Sequence, residues 1–249
     1  MKIFRLATWN LDHASRSNRP IPAQKEKIRA INADVLVLTE TCKDVDLSDL
    51  YVHAVTSSPN KYKKYFSAIW TQWPVVRCFD TYDHETATCV QIQSPFGDLI
   101  IYGTILTWRN DKGTDGASGP WLEHHKEIEK QGDDWQANQN LAREIPFIVA
   151  GDFNQARDGQ GQYHSAQSID LLNSQLEMNN LVCLTDENFG ANGKLRPDPK
   201  KGYYRHNIDH ICVTKDAFWV EKVGAWDHFT DAQELSDHNG VFVDLDPVN

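Results

Sequence analysis

A transmembrane helix needs about 20 apolar residues in a row, and no stretch of this 249-residue sequence approaches that. The opening "MKIFRLATWN" enters a strand-like segment at once, too short and interrupted for the apolar region of a signal peptide. Cysteine is scarce: five residues, at 42, 78, 89, 183 and 212, odd in number and never spaced C-x-x-C. Neither a disulfide framework nor a thiolate zinc site is expected, and a reduced, cytoplasmic protein is the default. Nor does a Ser/Gly-rich or Pro-rich stretch divide the chain, so residues 1–249 read as one domain.

Positive charge is short as well. Against 35 Asp and Glu stand 25 Lys and Arg, a formal net charge of −10. Such a chain has no long-range attraction for phosphate backbones, so duplex nucleic acid is disfavoured unless a basic patch or bound cations reverse the field. What is present is ordinary globular material, 40% hydrophobic and 24% charged, enough for a sizeable core.

The apolar pattern opens as strand, helix, strand: Lys2 to Trp9, an amphipathic helix in "AQKEKIRAIN", then "DVLVLTE" from Asp34 to Glu40, a nearly continuous run suited to a strand buried on both faces. Short strands follow at Lys64 to Thr71, Val75 to Phe79, Glu85 to Gln93 and Asp98 to Leu106, and this middle reads as antiparallel β. A helix is expected from near Pro120 to Pro146, with Gly132 a candidate interruption, then the strand "PFIVA" and a helix over Ser165 to Met178. Strands at Ile208 to Thr214, Phe218 to Val223 and Val241 to Leu245 close the chain; Lys194 to Lys201 reads as a solvated loop.

Three of these strands stop on oxygen-bearing side chains: "LATWNLD" on Asn10 and Asp12, "DVLVLTE" on Glu40, "FIVAGDFN" on Asp152 and Asn154. One such residue is ordinarily a turn residue; three strands ending alike would gather the groups on one rim if the strands are neighbours. Near the C-terminus, alternation in "YRHNIDHICVT" puts Asp209 on a face with Ile211 and Val213, where an unpaired carboxylate is costly. "LSDHNGVFVDL" offers His238, with Asp237, as its partner, a pairing that fixes the imidazole tautomer. No G-x-S-x-G motif is present. Carboxylates and amides without thiolates suit Mg²⁺ or Mn²⁺ better than zinc, and such a cation leaves coordination sites for water and phosphate oxygens. The eight tryptophans are read mainly as core.

Taken in order, "TWNLD", "LTE", "GDFN", "IDH" and "SDH" resemble the endonuclease/exonuclease/phosphatase family over residues 8–238. The resemblance implies an α/β fold, a four-layer α-β-β-α sandwich of two mainly antiparallel sheets flanked by helices, with the active site at one rim. It further implies a Mg²⁺- or Mn²⁺-dependent hydrolase of phosphate esters. Glu40 would be the principal metal ligand, with Asn10, Asp12 and Asp237 beside it. Asp152 and Asn154 would position and deprotonate the attacking water, and Asp209 would hold His238 against a phosphate oxygen. One departure stands out. Where many relatives carry His or Tyr after a central strand, "YGTILTW" has Ile105, so either metal-bound water serves the leaving group or another side chain meets the substrate, with His124, His125 and Arg109 as candidates. The expected partner is a phosphate ester, nucleic acid included, acted on by a monomer. The rival reading is an inactive binding protein on the same fold; a phosphomonoesterase or a sphingomyelinase-like enzyme is the alternative activity.

Overall fold

The computed structural model describes residues 3–13, 20–159 and 163–248. Lys2, expected to begin the first strand, lies outside them. Twelve strands and three helices follow in the order β1 (Phe4–Asn10), α1 (Ile21–Ile31), β2 (Val35–Cys42), β3 (His53–Thr56), β4 (Lys64–Thr71), β5 (Val75–Phe79), β6 (Ala87–Ser94), β7 (Gly97–Ile105), α2 (Leu122–Leu141), β8 (Phe147–Asp152), α3 (Ala166–Met178), β9 (Leu181–Cys183), β10 (Asp209–Thr214), β11 (Phe218–Trp226) and β12 (Gly240–Pro247). They form two six-stranded sheets, ordered β11-β12-β1-β2-β4-β3 and β5-β6-β7-β8-β10-β9. Each sheet is antiparallel except for one central parallel pair, β1 with β2 and β7 with β8.

The period-two alternation of side chains divides the apolar residues into layers. Leu6, Val35, Val37 and Ile69 from the first sheet meet Ile101, Ile148, Ile211 and Val213 from the second in an apolar seam. On the outer face of the second sheet, Tyr102, Phe147 and Val149 pack against Ile128 and Trp135 of α2 and Leu172 and Leu176 of α3. Trp9, Leu36 and Leu38 cover the other outer face with Ile28 of α1. At about 1.5–3 kcal/mol for each fully buried aliphatic side chain, these layers outweigh the several kcal/mol that a buried charge costs at the rim.

One local expectation changes. Gly132 does not interrupt α2, which runs unbroken through it. The glycine instead lets α3 approach, since a Cβ there would lie 1.9 Å from the Gln175 Oε1. Lys194, Arg196 and Lys200 are paired with Glu187, Asp227 and Glu234, so this loop is tied to its neighbours by surface ion pairs. The short strands β3 and β9 have no signature in the sequence strong enough to announce them. The start of α3 carries its own signal: Ser165 and Ser168 cap each other's backbone N–H reciprocally.

Candidate active site

Register brings the polar strand ends together. Asn10 ends β1 and Asp152 ends β8; Asp209 begins β10 directly opposite Asp152. Within β8 and β10 the residues that share a face with Asp152 and Asp209 are the seam residues Ile148, Ala150, Ile211 and Val213. Both carboxylates therefore face inward between the sheets, at the point where the apolar seam stops. Glu40 needs a different device. Alternation alone would send it outward with Leu36 and Leu38, but its φ of +48° breaks the alternation, and its side chain lines the same cavity as Asp152. Asp12, His13 and Asn154 share that left-handed conformation. Non-glycine residues held there cost of order 1–3 kcal/mol each and cluster at functional sites. Gly151 has no alternative: at φ +146° a Cβ would stand 1.8 Å from the Thr104 carbonyl oxygen of the adjoining strand.

Asp152 is the hub. Its Oδ2 accepts from Asn10 Nδ2 at 2.9 Å and Asn154 Nδ2 at 3.1 Å, and its Oδ1 accepts from the Asn154 backbone N–H at 2.8 Å. Asn154 Nδ2 also donates to the Leu106 carbonyl at 2.9 Å, which fixes the amide and leaves its Oδ1 toward the Tyr163 hydroxyl at 3.4 Å. His238 Nδ1 donates to Asp209 Oδ2 at 2.6 Å, so Nε2 is the ring nitrogen left for the cavity, 3.8 Å from Asp237 Oδ1. A second set of bonds holds the His238 loop against β1: Ser236 Oγ donates to the Asn10 carbonyl and accepts from the His238 N–H, and the Trp9 indole donates to the His238 carbonyl. Glu40 meets His13 Nε2 at 2.9 Å.

Burial pushes the Asp152 carboxyl up to about 8; His238 opposes this and Asp209 adds to it. Burial works against a charged His238, yet the carboxylates of Asp209 and Asp152 prevail and raise its pKa to about 10. For Glu40 burial is again the largest influence, and the His13 bond and the charge of His238 overcome it, leaving the carboxyl below its ordinary value.

These groups open onto a cavity of about 970 Å³. Among the described residues seven carboxylates line it, Asp12, Glu40, Asp83, Asp111, Glu127, Asp152 and Asp237, against one guanidinium, that of Arg205. Arg205 is already engaged, with Asp198 through Nε and with the Asp237 carbonyl through Nη1. The chemistry that fits is that of a hard cation: Glu40, Asp12, Asn10 and Asp237 all offer oxygen. Asp152, Asp209 and His238 bring their ligand atoms within 4.8 Å of one another, and of the three Asp209 and His238 are joined by a hydrogen bond.

Three expected site residues are elsewhere. His124 is fully buried, its Nδ1 at 2.6 Å from the Thr107 carbonyl and Nε2 at 3.2 Å from Gln155 Oε1, and burial lowers its pKa. It supports the cavity wall from behind and cannot meet substrate. Neighbouring His125 is buried also, against Ser165. Arg109 is exposed and lies over the Trp121 ring, 5.8 Å from its centroid, outside the cavity lining. In their place the structure brings Tyr163, Arg205 and His13 to the cavity, along with the half-exposed Trp108. Tyr163 sits nine residues beyond Asn154 in a loop without periodicity, so only the fold could find it.

The match to known proteins agrees with this geometry. The profile of the Endonuclease/Exonuclease/phosphatase family matches residues 7–238. The chain belongs to that family. No curated protein matches it in sequence. Among solved structures it is similar to the catalytic domain of human Nocturnin with bound sulfate, with 20% identity, a TM-score of 0.68 and coverage of 99% of this chain and 95% of that one. It is also similar to the 3' phosphatase NExo from Neisseria bound to product DNA hairpin, at 16% identity, TM-score 0.70, and coverage of 98% and 99%. The endonuclease domain of TRAS1, a telomere-specific non-LTR retrotransposon, follows at 16% identity and TM-score 0.62, with 98% of each chain covered. At these identities the likeness is one of fold: the four-layer sandwich is shared.

Proposed function

We propose that the protein hydrolyses phosphodiester bonds with Mg²⁺ or Mn²⁺ held by Glu40 together with Asn10, Asp12 and Asp237. The observation that carries the reading is the hydrogen-bonded set Asn10, Asp152, Asn154 and Asp209–His238 at the floor of an acidic cavity. Family membership supports a phosphoesterase, as do neighbours described as a 3' phosphatase and an endonuclease domain. When bound, the cation would polarise the phosphoryl group and offset its charge.

The protein's own groups do the rest. Asp152, in its ionised form, accepts the proton of the attacking water, while Asn154 and Asn10 hold the carboxylate in place. His238, kept as imidazolium by Asp209, presents its Nε2 N–H to a phosphoryl oxygen that gains charge in the transition state. Ile105 has no proton to give a leaving oxygen. Tyr163 does: its phenol, pushed up to about 12 by burial and the nearby Asp152 charge, stays protonated at neutral pH beside Asn154.

Among the described residues carboxylates outnumber cations around the cavity, which favours a small or lightly charged phosphodiester over duplex nucleic acid. The aliphatic Ile105 is the one feature that favours an inactive binding protein instead. Incubation of the purified chain and a His238→Ala control with Mg²⁺ or Mn²⁺ and a panel of bis-aryl phosphodiester, oligonucleotides, plasmid DNA and phosphomonoesters separates the two. Turnover of the diester by the wild type alone is expected. A panel left intact with both metals would make the binding protein the better reading.

A further inference from the structure

The scattered cysteines of the sequence are not scattered in space. Cys183 on β9 and Cys212 on β10 are direct cross-strand partners, both reduced. The next pair along the ladder is hydrogen-bonded, Leu184 N–H to the Ile211 carbonyl at 2.9 Å, so Cys183 and Cys212 occupy a non-hydrogen-bonded position. Cα atoms there stand about 4.5 Å apart with side chains on the same face, at the near edge of the roughly 4.4–6.8 Å that a disulfide spans. Cys212 is fully buried, whereas Cys183, 8% exposed, lines a surface groove of about 390 Å³ with Arg157 and Asp186.

The surroundings are unlike those of two inert core thiols. His210, also fully enclosed, has Nε2 at 2.9 Å from the Gln155 carbonyl and Nδ1 at 3.1 Å from the Thr185 carbonyl. Nε2 donates to the Gln155 carbonyl; Nδ1 is placed both to donate to the Thr185 carbonyl, as an imidazolium would, and to accept from the Thr185 hydroxyl, as a neutral ring would. Thr185 Oγ1 lies between the ring and the sulfur, 3.3 Å from His210 Nδ1 and 4.0 Å from Cys183 Sγ. Arg157 adds a second cation to the groove: Nη2 donates to Asn173, while Nε and Nη1 are buried with no hydrogen-bond partner.

We infer that Cys183 and Cys212 form a site of reversible oxidation, with Cys183 the nucleophile toward a hydroperoxide and Cys212 the resolving thiol. The hydrogen bond from Cys212 and the charges of His210 and Arg157 hold the Cys183 thiol well below the usual range against the opposing effect of burial. Burial keeps Cys212 protonated. The Cys183 thiolate attacks one peroxide oxygen and the O–O bond breaks; Cys183 becomes a sulfenic acid, and the departing hydroxide takes a proton from solvent. Cys212 then attacks the Cys183 sulfur. The S–S bond forms, the S–O bond breaks, and the hydroxide leaves as water with the Cys212 proton. Two thiols are oxidised by two electrons and the peroxide is reduced to two waters.

The test uses the purified wild-type chain, treated with hydrogen peroxide, blocked with N-ethylmaleimide, digested without reductant and mapped by mass spectrometry. The expected dominant oxidised species joins the peptide carrying Cys183 to that carrying Cys212, and dithiothreitol separates them again. In a Cys212→Ser chain the sulfenic acid should persist on Cys183 and be trapped by dimedone. Recovery of both cysteines as maleimide adducts, with oxidation confined to the exposed Cys78, would overturn the assignment. The wild-type map decides this without any variant, and independently of the phosphoesterase reading.

Discussion

The two sheets repeat one arrangement and differ at a single point. Each has a central parallel pair, and each pair is closed at its end by a similar bond, Leu11 N–H to the Thr39 carbonyl in the first sheet and Leu106 N–H to the Asp152 carbonyl in the second. In the first, β1 and β2 deliver Asn10 and Glu40; in the second, β8 delivers Asp152 but β7 delivers Ile105, in register beside it. Three positions at the cavity are polar and one is aliphatic. In the proposed mechanism the first sheet holds the cation and the second handles protons. In the same mechanism the proton that Ile105 lacks comes from a loop, through the Tyr163 hydroxyl at 3.4 Å from Asn154.

The largest effect should come from the cation-holding side. Removing divalent ions with a chelator should abolish phosphodiester turnover, with Mg²⁺ or Mn²⁺ restoring it; Glu40→Gln should raise the concentration needed for half-maximal activity. Unchanged turnover in the chelator would remove the cation from the account. On the proton-handling side, Asp152→Asn preserves the shape and most of the hydrogen bonds while removing the base, so kcat should fall by about 10²–10⁴ with the melting temperature little altered. Near-normal turnover would reassign the base.

Tyr163→Phe bears on the aliphatic strand end. It should slow alkyl phosphodiesters by about 10-fold or more, within the range of general acid catalysis, and spare esters of 4-nitrophenol, which leaves without a proton. Equal slowing of both would make Tyr163 a wall residue. A smaller and wholly local effect concerns His124. Replacing it with Ala leaves buried acceptors unpaired and should cost about 1–3 kcal/mol of stability in denaturant titration, while kcat per folded molecule stays close to wild type. A selective loss of kcat would return His124 to the site.

Much of this was readable from the chain because strand ends are local. An apolar run halting on Asp152 announces both the strand and the polar group, and the pairing of Asp209 with His238 follows from a carboxylate on an apolar face. The failures share a physical cause. Whether His124 faces cavity or core depends on which face of α2 meets the second sheet, and two adjacent histidines do not encode that. Glu40 reaches the cavity only through a left-handed backbone, which no pattern of residue types reveals. Tyr163 and Arg205 depend on loops folding back across more than one strand. Cys183 and Cys212, 29 residues apart in sequence, meet only once β9 is recognised, and at three residues it is too short to carry a pattern.

The charge state of His238 tests the chain's own part of the mechanism. Burial acts against its imidazolium, and Asp209 and Asp152 outweigh burial, so in chelator-treated protein the ring nitrogens should keep the protonated NMR pattern until the pH nears about 10. An ordinary histidine midpoint near 6.5 would mean that the two carboxylates do not hold the charge.

The most direct test of the central claim is the rate of hydrolysis of bis(4-nitrophenyl) phosphate in saturating Mn²⁺, compared between the wild type and His238→Ala at equal folded concentration. The account predicts steady turnover by the wild type and a loss of about 10²–10³-fold in the variant, the scale expected for removing one preorganised donor from a charged transition state. Equal rates in the two proteins, or no release of 4-nitrophenol by either, would contradict it.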